Sequence, residues 1–165
     1  MAGAKIRLKI DFDGMLEAIR DAGGDMNKAA LQAAEECAKA AHDELVAECN
    51  ASGIPESVSG EIEHSVIVTS GGNRYEVEAG WKKGEYDPAN PSAAYKAIFL
   101  NYGTPKGPRQ VKKKLHVLYK GSWVTTANRG QIVGRGFIDR AQNGAKKKIK
   151  KVQNEALKKM LKELT

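Results

Sequence analysis

The stretch Glu61-Ile62-Glu63-His64-Ser65-Val66-Ile67-Val68-Thr69-Ser70-Gly71-Gly72-Asn73-Arg74-Tyr75-Glu76-Val77-Glu78-Ala79-Gly80-Trp81 decides the fold. Ile62, His64, Val66 and Val68 fall at every second position, as do Tyr75, Val77, Ala79 and Trp81 after the turn. Successive side chains of a strand point to opposite faces, so each run presents one apolar face. Ser70-Gly71-Gly72-Asn73 supplies the turn, and the whole reads as a β-hairpin. Segments of helical period flank it on both sides. The chain therefore reads as α+β, a small antiparallel sheet packed against long helices.

Upstream, Lys5-Ile6-Arg7-Leu8-Lys9-Ile10 alternates charged and aliphatic residues, the pattern of a half-buried strand. Asp13 is placed to cap a short helix carrying Met15, Leu16, Ile19 and Ala22, which Gly23-Gly24 would end. Asp25 is the expected N-cap of a longer helix running to about Asn50. Ala30, Leu31, Ala34, Cys37, Ala38, Ala41, Leu45 and Cys49 recur there at steps of three and four. At about 1.5 Å per residue that helix is close to 40 Å long. Its alanine stripe allows a partner element to approach closely, within the subunit or between subunits. Ser52-Gly53-Ile54-Pro55 then breaks it.

Downstream of the hairpin, Gly84 to Ser92 reads as loop and Ala94 to Tyr102 as an apolar segment. The span from Lys106 to Gly136 reads as an extended basic loop or long hairpin arm, with short strands through Leu115–Tyr119 and Trp123-Val124. Loops of that length are uncommon unless functional. A last helix is expected from about Phe137 to Leu164. Its stripe is Phe137, Ile138, Ala141, Ala145, Ile149, Val152, Ala156, Leu157, Met160, Leu161 and Leu164, and eight lysines from Lys146 to Lys162 occupy the wet face. At 165 residues the chain is one domain, 1–165.

Charge divides the chain in two. Residues 1–87 carry 17 Asp and Glu against 9 Lys and Arg, whereas residues 88–165 carry 3 against 18. No acidic side chain lies between Pro88 and Ile138. Such a molecule is suited to meeting other charged surfaces, either copies of itself or nucleic acid. Lys106, Arg109, Lys112, Lys113, Lys114, Lys120, Arg129 and Arg135 are the candidates for facing a partner or DNA. Neutralising phosphates would give salt-dependent, sequence-independent binding. Only Tyr119 and Trp123 lie close in sequence, so base stacking is poorly served. Docking on an acidic neighbour is the favoured reading, because the chain carries its own acidic half.

No chemistry-bearing motif competes. His42, His64 and His116 are on different elements with no local ligands at metal-binding spacing, so ordinary surface or core-edge histidines are expected and no metal is assigned. Gly130-Gln131-Ile132-Val133-Gly134-Arg135-Gly136 is rich in glycine but lacks the Gly-Lys-Ser/Thr ending of a phosphate-binding loop. There is no Gly-x-Ser-x-Gly elbow, and neither cysteine has a base near it in sequence. No catalytic residue and no cofactor is assigned, and an enzyme is not expected. Cys37 and Cys49 lie 12 residues apart on one expected helix, about 18 Å along its axis. A disulfide needs Cα atoms within about 7 Å, so both are expected to be reduced and buried. No apolar run approaches the roughly 20 residues of a membrane span, and no signal segment is seen, so a cytoplasm-like compartment is expected.

Three islands, in order, resemble a family of small neck or tail-completion proteins (minor tail components) of long-tailed double-stranded-DNA phages. Pro55-Glu56-Ser57-Val58-Ser59-Gly60-Glu61-Ile62-Glu63-His64-Ser65-Val66 is similar to the family's Pro, Thr-Gly-x-Leu and Ser-Ile pattern. In it Ser59, Ile62 and Val66 stand for the Thr, Leu and Ile. Ala97-Ile98-Phe99-Leu100-Asn101-Tyr102-Gly103-Thr104 resembles Tyr-Ala-x-x-Val-Glu-x-Gly-Thr, with Asn101 at the Glu position and Lys96 at the Tyr. Gly136-Phe137-Ile138-Asp139-Arg140-Ala141 resembles Pro-Phe-Leu-x-x-Ala, with Gly136 for the Pro. Pro55, Gly60, Ile62, Ser65, Gly103, Thr104, Phe137 and Ala141 are the structural residues the resemblance picks out.

The resemblance implies an α+β fold and a non-enzymatic role at the head–tail junction, where copies assemble in a ring. The expected partners are other copies, further neck, connector or tail proteins and double-stranded DNA in the channel, with no membrane. The expected location is the virion, assembled in the host cytoplasm. The alternative is a free-standing, sequence-independent nucleic-acid-binding protein using the same basic arm.

Overall fold

The computed structural model describes residues 4–12, 14–69, 74–84, 87, 89–103, 115–119, 122–126 and 132–164, with 115–119 and 122–126 described by backbone alone. Strand β1 (Lys5–Ile10) precedes helices α1 (Met15–Asp21), α2 (Met26–Ala51) and the single turn α3 (Glu56–Ser59). The hairpin follows as β2 (Glu63–Val68) and β3 (Tyr75–Gly80), then α4 (Ala93–Tyr102), β4 (Leu115–Tyr119), β5 (Ser122–Thr126) and α5 (Phe137–Leu164). The fold is α+β, as the alternation of periods predicts. Asp25 caps α2 as expected, its carboxylate accepting from the N–H groups of Asn27 and Lys28. At α1 the cap position is taken by Gly14; Asp13 and the hairpin turn 70–73 lie outside the described residues.

The three-stranded sheet has the order β1-β3-β2, with β3 antiparallel to both neighbours. Its register sets Ile6, Leu8 and Ile10 opposite Ala79, Val77 and Tyr75, and these opposite His64, Val66 and Val68. That is the face the two-residue period predicts. Burial along it is uneven: β3 is buried throughout its apolar positions, whereas His64 and Val68 on β2 are exposed. A central strand is flanked on both edges, and β2 is not. β4 and β5 pair antiparallel in a sheet of their own, with β5 longer than the sequence suggests.

Helix α2 packs on β2 and β3 and, most extensively, along α5, while α5 also touches β1 and α1. The two long helices run antiparallel, because Glu48 meets Arg140, Glu44 meets Lys148, and Ala29 and Ala33 pack in one cluster with Leu157. Ala30, Ala34, Cys37, Ala38, Ala41, Leu45 and Cys49 join the main core with Phe137, Ile138, Ala141 and Ala145. The alanine stripe thus serves a partner within the subunit. Leu31 departs from the expected stripe and is exposed, while Ala29 and Ala33 are buried instead. Ala29 and Ala33 lie on the flank of the stripe that α5 covers at Leu157, and Leu31 lies on the opposite flank. Fully burying a Leu, Ile or Phe contributes about 1.5–3 kcal/mol, so Ile6, Leu45, Phe137 and Leu157 anchor the arrangement.

Candidate functional site

Two passes of the chain cross where the basic segment leaves and rejoins the domain. Gly103 ends α4 with φ +76° and forms a bridge with Val133. A Cβ on Gly103 would lie 2.6 Å from the Gly134 nitrogen and the Ile132 carbonyl oxygen. One on Gly134 would lie 2.7–2.8 Å from the backbone of Asn101 and Tyr102. Neither backbone can yield as a side chain could, so this crossing needs both glycines. The Arg135 N–H donates to the Leu100 carbonyl and the Gly136 N–H to the Asn101 carbonyl. The Arg135 guanidinium donates to the Ser52 and Gly53 carbonyls at 2.8 and 2.9 Å, tying the crossing to the C-terminal end of α2.

Asn101 joins the two passes. It is 3 % exposed, and its Oδ1 accepts from the Ile138 N–H at 2.8 Å, satisfying one of the orphan donors at the start of α5. Its Nδ2 reaches Asp139 Oδ2 at 3.5 Å. A glutamate at this place would set a second carboxylate against Asp139, whereas an amide offers acceptor and donor together. Its neighbour Tyr102 is exposed.

The three islands singled out in the sequence are linked here, the first and third through Trp81 and the second and third through Asn101. The Trp81 indole N–H donates to the Val58 carbonyl of the first island. Its ring stands edge-on to Phe137 of the third, with centroids 6.3 Å apart. Asn101 of the second island caps the helix that Phe137 begins. Pro55 and Gly60 bracket α3, Ile62 is buried, and Phe137 and Ala141 are fully enclosed. Ser65 is exposed on β2 opposite Glu78. Trp81 also lines a cavity of about 550 Å³ with Lys5, Arg7, Lys83, Tyr95 and Gln142.

Of the candidate partner-facing residues, Arg135 has the structural role just given. Lys106, Arg109, Lys112, Lys113, Lys114, Lys120 and Arg129, together with Thr104, lie outside the described residues. The roles of Asn101 and Trp81 escape a reading by periodicity. The place of Asn101 at the Glu position of the second island, and its polarity inside an apolar helical run, are the sequence signals that mark it.

The two charged halves meet within one chain. Lys148 pairs with Glu44, and Arg140 with Glu48 at 2.9 Å, across the α2–α5 seam. On the sheet, Glu78 is 5 % exposed and is ion-paired with Lys5 and Arg7. Burial alone would raise its carboxyl, but the Lys5 ammonium and Arg7 guanidinium more than offset that and hold it below its ordinary value. Cys37 and Cys49 are free and buried. Burial, helped by Glu36 and Glu48, pushes their thiols up to about 12 and about 11, which suits them to packing rather than to nucleophilic attack. No helix among the described residues is long and apolar enough to cross a membrane.

Comparison with known proteins found no matching family model, curated protein or solved structure.

Proposed function

We propose that this chain is a non-enzymatic assembly protein of a tailed phage, acting at the head–tail junction as a ring of identical subunits. The observation that carries the reading is the meeting of the three islands at one structural hub. Residues 55–66, 97–104 and 136–141 are far apart in sequence, yet Val58 and Phe137 meet at Trp81, and Asn101 caps the helix that Phe137 begins. A resemblance scattered over three short stretches gains weight when those stretches form one mechanical unit. That unit holds both ends of the basic segment.

The ring contact in this reading is heterologous: the basic segment of one copy meets acidic surface of the next, and the rotation closes. Glu44 and Glu48 are engaged within the subunit, whereas Glu35 and Glu36 on α2 and Glu56 and Glu61 beside α3 are exposed and are among the available acidic partners. Lys106, Arg109, Lys112, Lys113, Lys114, Lys120 and Arg129 supply the positive side, directed to a neighbouring ring or toward DNA in the channel. A second reading, a free-standing nucleic-acid-binding protein, draws on the same cations and on the exposed lysines of α5.

Charge reversal separates the two. A variant carrying Lys112→Glu, Lys113→Glu and Lys114→Glu is expected to remain folded and to fail in completing particles. Unimpaired assembly would count against the ring contact. Tight DNA binding by the isolated wild-type monomer, falling steeply with salt, would favour the second reading.

A further inference from the structure

We propose that His42 on α2 and His64 on β2 form a two-imidazole binding site for a divalent transition-metal ion of zinc type. The sequence separates these residues by 22 positions, and the fold brings their ring centroids to 5.3 Å, with the planes inclined at 62°. Two imidazoles on one tetrahedral zinc, at Zn–N distances of about 2.0–2.1 Å, have ring centres about 5 Å apart. The observed separation of 5.3 Å is close to that value.

The second observation concerns orientation. His42 Nδ1 is 3.1 Å from Asp43 Oδ1. An ionised carboxylate can only accept, so in that contact Nδ1 carries the proton and Nε2 keeps its lone pair. A carboxylate behind a histidine is the usual outer partner of a metal-ligating imidazole, where it sets the tautomer and raises ligand basicity. Position on the fold adds a reason for accessibility. His64 shares the helix-facing side of β2 with Val66, paired opposite Ala79, yet it is exposed because β2 is an edge strand.

Among the described residues no group of three or more His, Cys, Asp and Glu side chains could hold an ion. The proposed site is thus open: two protein nitrogens, with water in the remaining positions. Imidazole nitrogen suits zinc, copper and nickel, and disfavours calcium and magnesium, which take oxygen. The buried cysteine thiols are not available to compete in the folded chain. Binding would tie the edge strand β2 to α2.

The test uses tag-free, metal-stripped full-length protein titrated with Zn²⁺ by calorimetry in a non-coordinating buffer. One ion per chain is expected, with binding lost in His42→Gln and in His64→Gln. Asp43→Asn should weaken it by about tenfold, the lower end of what removal of such an outer partner costs. His116→Gln should leave it unchanged. In the wild-type chain, Zn²⁺ should shift the ring resonances of two of the three histidines, a readout that does not depend on any variant folding. No binding, binding that survives either His42→Gln or His64→Gln, or a shift of the His116 ring would overturn the proposal.

Discussion

Replacing Asn101 by alanine removes the acceptor that satisfies the Ile138 N–H at the start of α5. Loss of an N-terminal cap costs about 0.5–2 kcal/mol, and a buried donor left without a partner costs about 1–3 kcal/mol. These describe one loss from two sides and are not added, so about 1–3 kcal/mol is expected. For a domain of this size each kcal/mol moves the melting midpoint by about 2–4 °C, and N101A should melt lower by about 2–12 °C. Asn101→Asp keeps the acceptor but sets a carboxylate where Nδ2 now lies 3.5 Å from Asp139 Oδ2. It should be destabilised as well, and Asp139→Asn in the same chain should recover much of the loss. Differential scanning calorimetry of the three variants beside wild type reads this directly. An N101A midpoint equal to that of wild type would refute the joint as the fixing point of α4 and α5.

Three further outcomes follow from the same geometry. Gly134→Ala drives a methyl group into the backbone of Asn101 and Tyr102; overpacking of this kind costs about 1–3 kcal/mol, seen as a lower urea midpoint with an unchanged slope. Glu78 has a folded pKa below its ordinary 4.5, so its stabilisation is complete above that value and is lost as pH falls through the lower folded one. Glu78→Gln should therefore flatten the stability–pH curve below about pH 4.5. Cys37 and Cys49, buried and raised to about 12 and about 11, should resist iodoacetamide at pH 8 in the native state and react once the chain is unfolded in urea.

The hairpin was legible because its period of two is unbroken on both arms, and α2 because Asp25 and the alanine steps agree. What periodicity left open was which side of a broad apolar stripe is covered. Leu31 and Ala33 lie on opposite flanks of that stripe, about 200° apart, and α5 covers the flank of Ala33. On β2 the alternation identifies the face but not how far it is covered, since an alternating pattern does not say whether a strand lies at an edge. The joint around Trp81 was visible only as motif residues without a common purpose. Their contacts span 23 residues from Val58 to Trp81 and 37 from Asn101 to Ile138, separations that local pattern does not encode. The histidines show the same limit: no spacing rule links His42 to His64, and it is the packing of α2 on β2 that joins them.

The charge division of the chain was plain in the sequence, but its meaning changed with the fold. Part of the complementarity is used within the subunit, where Glu44 and Glu48 hold Lys148 and Arg140 across the α2–α5 seam. These pairs are partly exposed and stabilise modestly. They also take Glu44 and Glu48 out of the acidic surface left for a neighbour, which still includes Glu35, Glu36, Glu56 and Glu61.

The most direct measurement is electron microscopy of particles made from a phage genome with a stop codon placed early in this gene. The account predicts filled heads alongside separate or malformed tails, rescued when the protein is supplied. Normal, infectious tailed particles would contradict it.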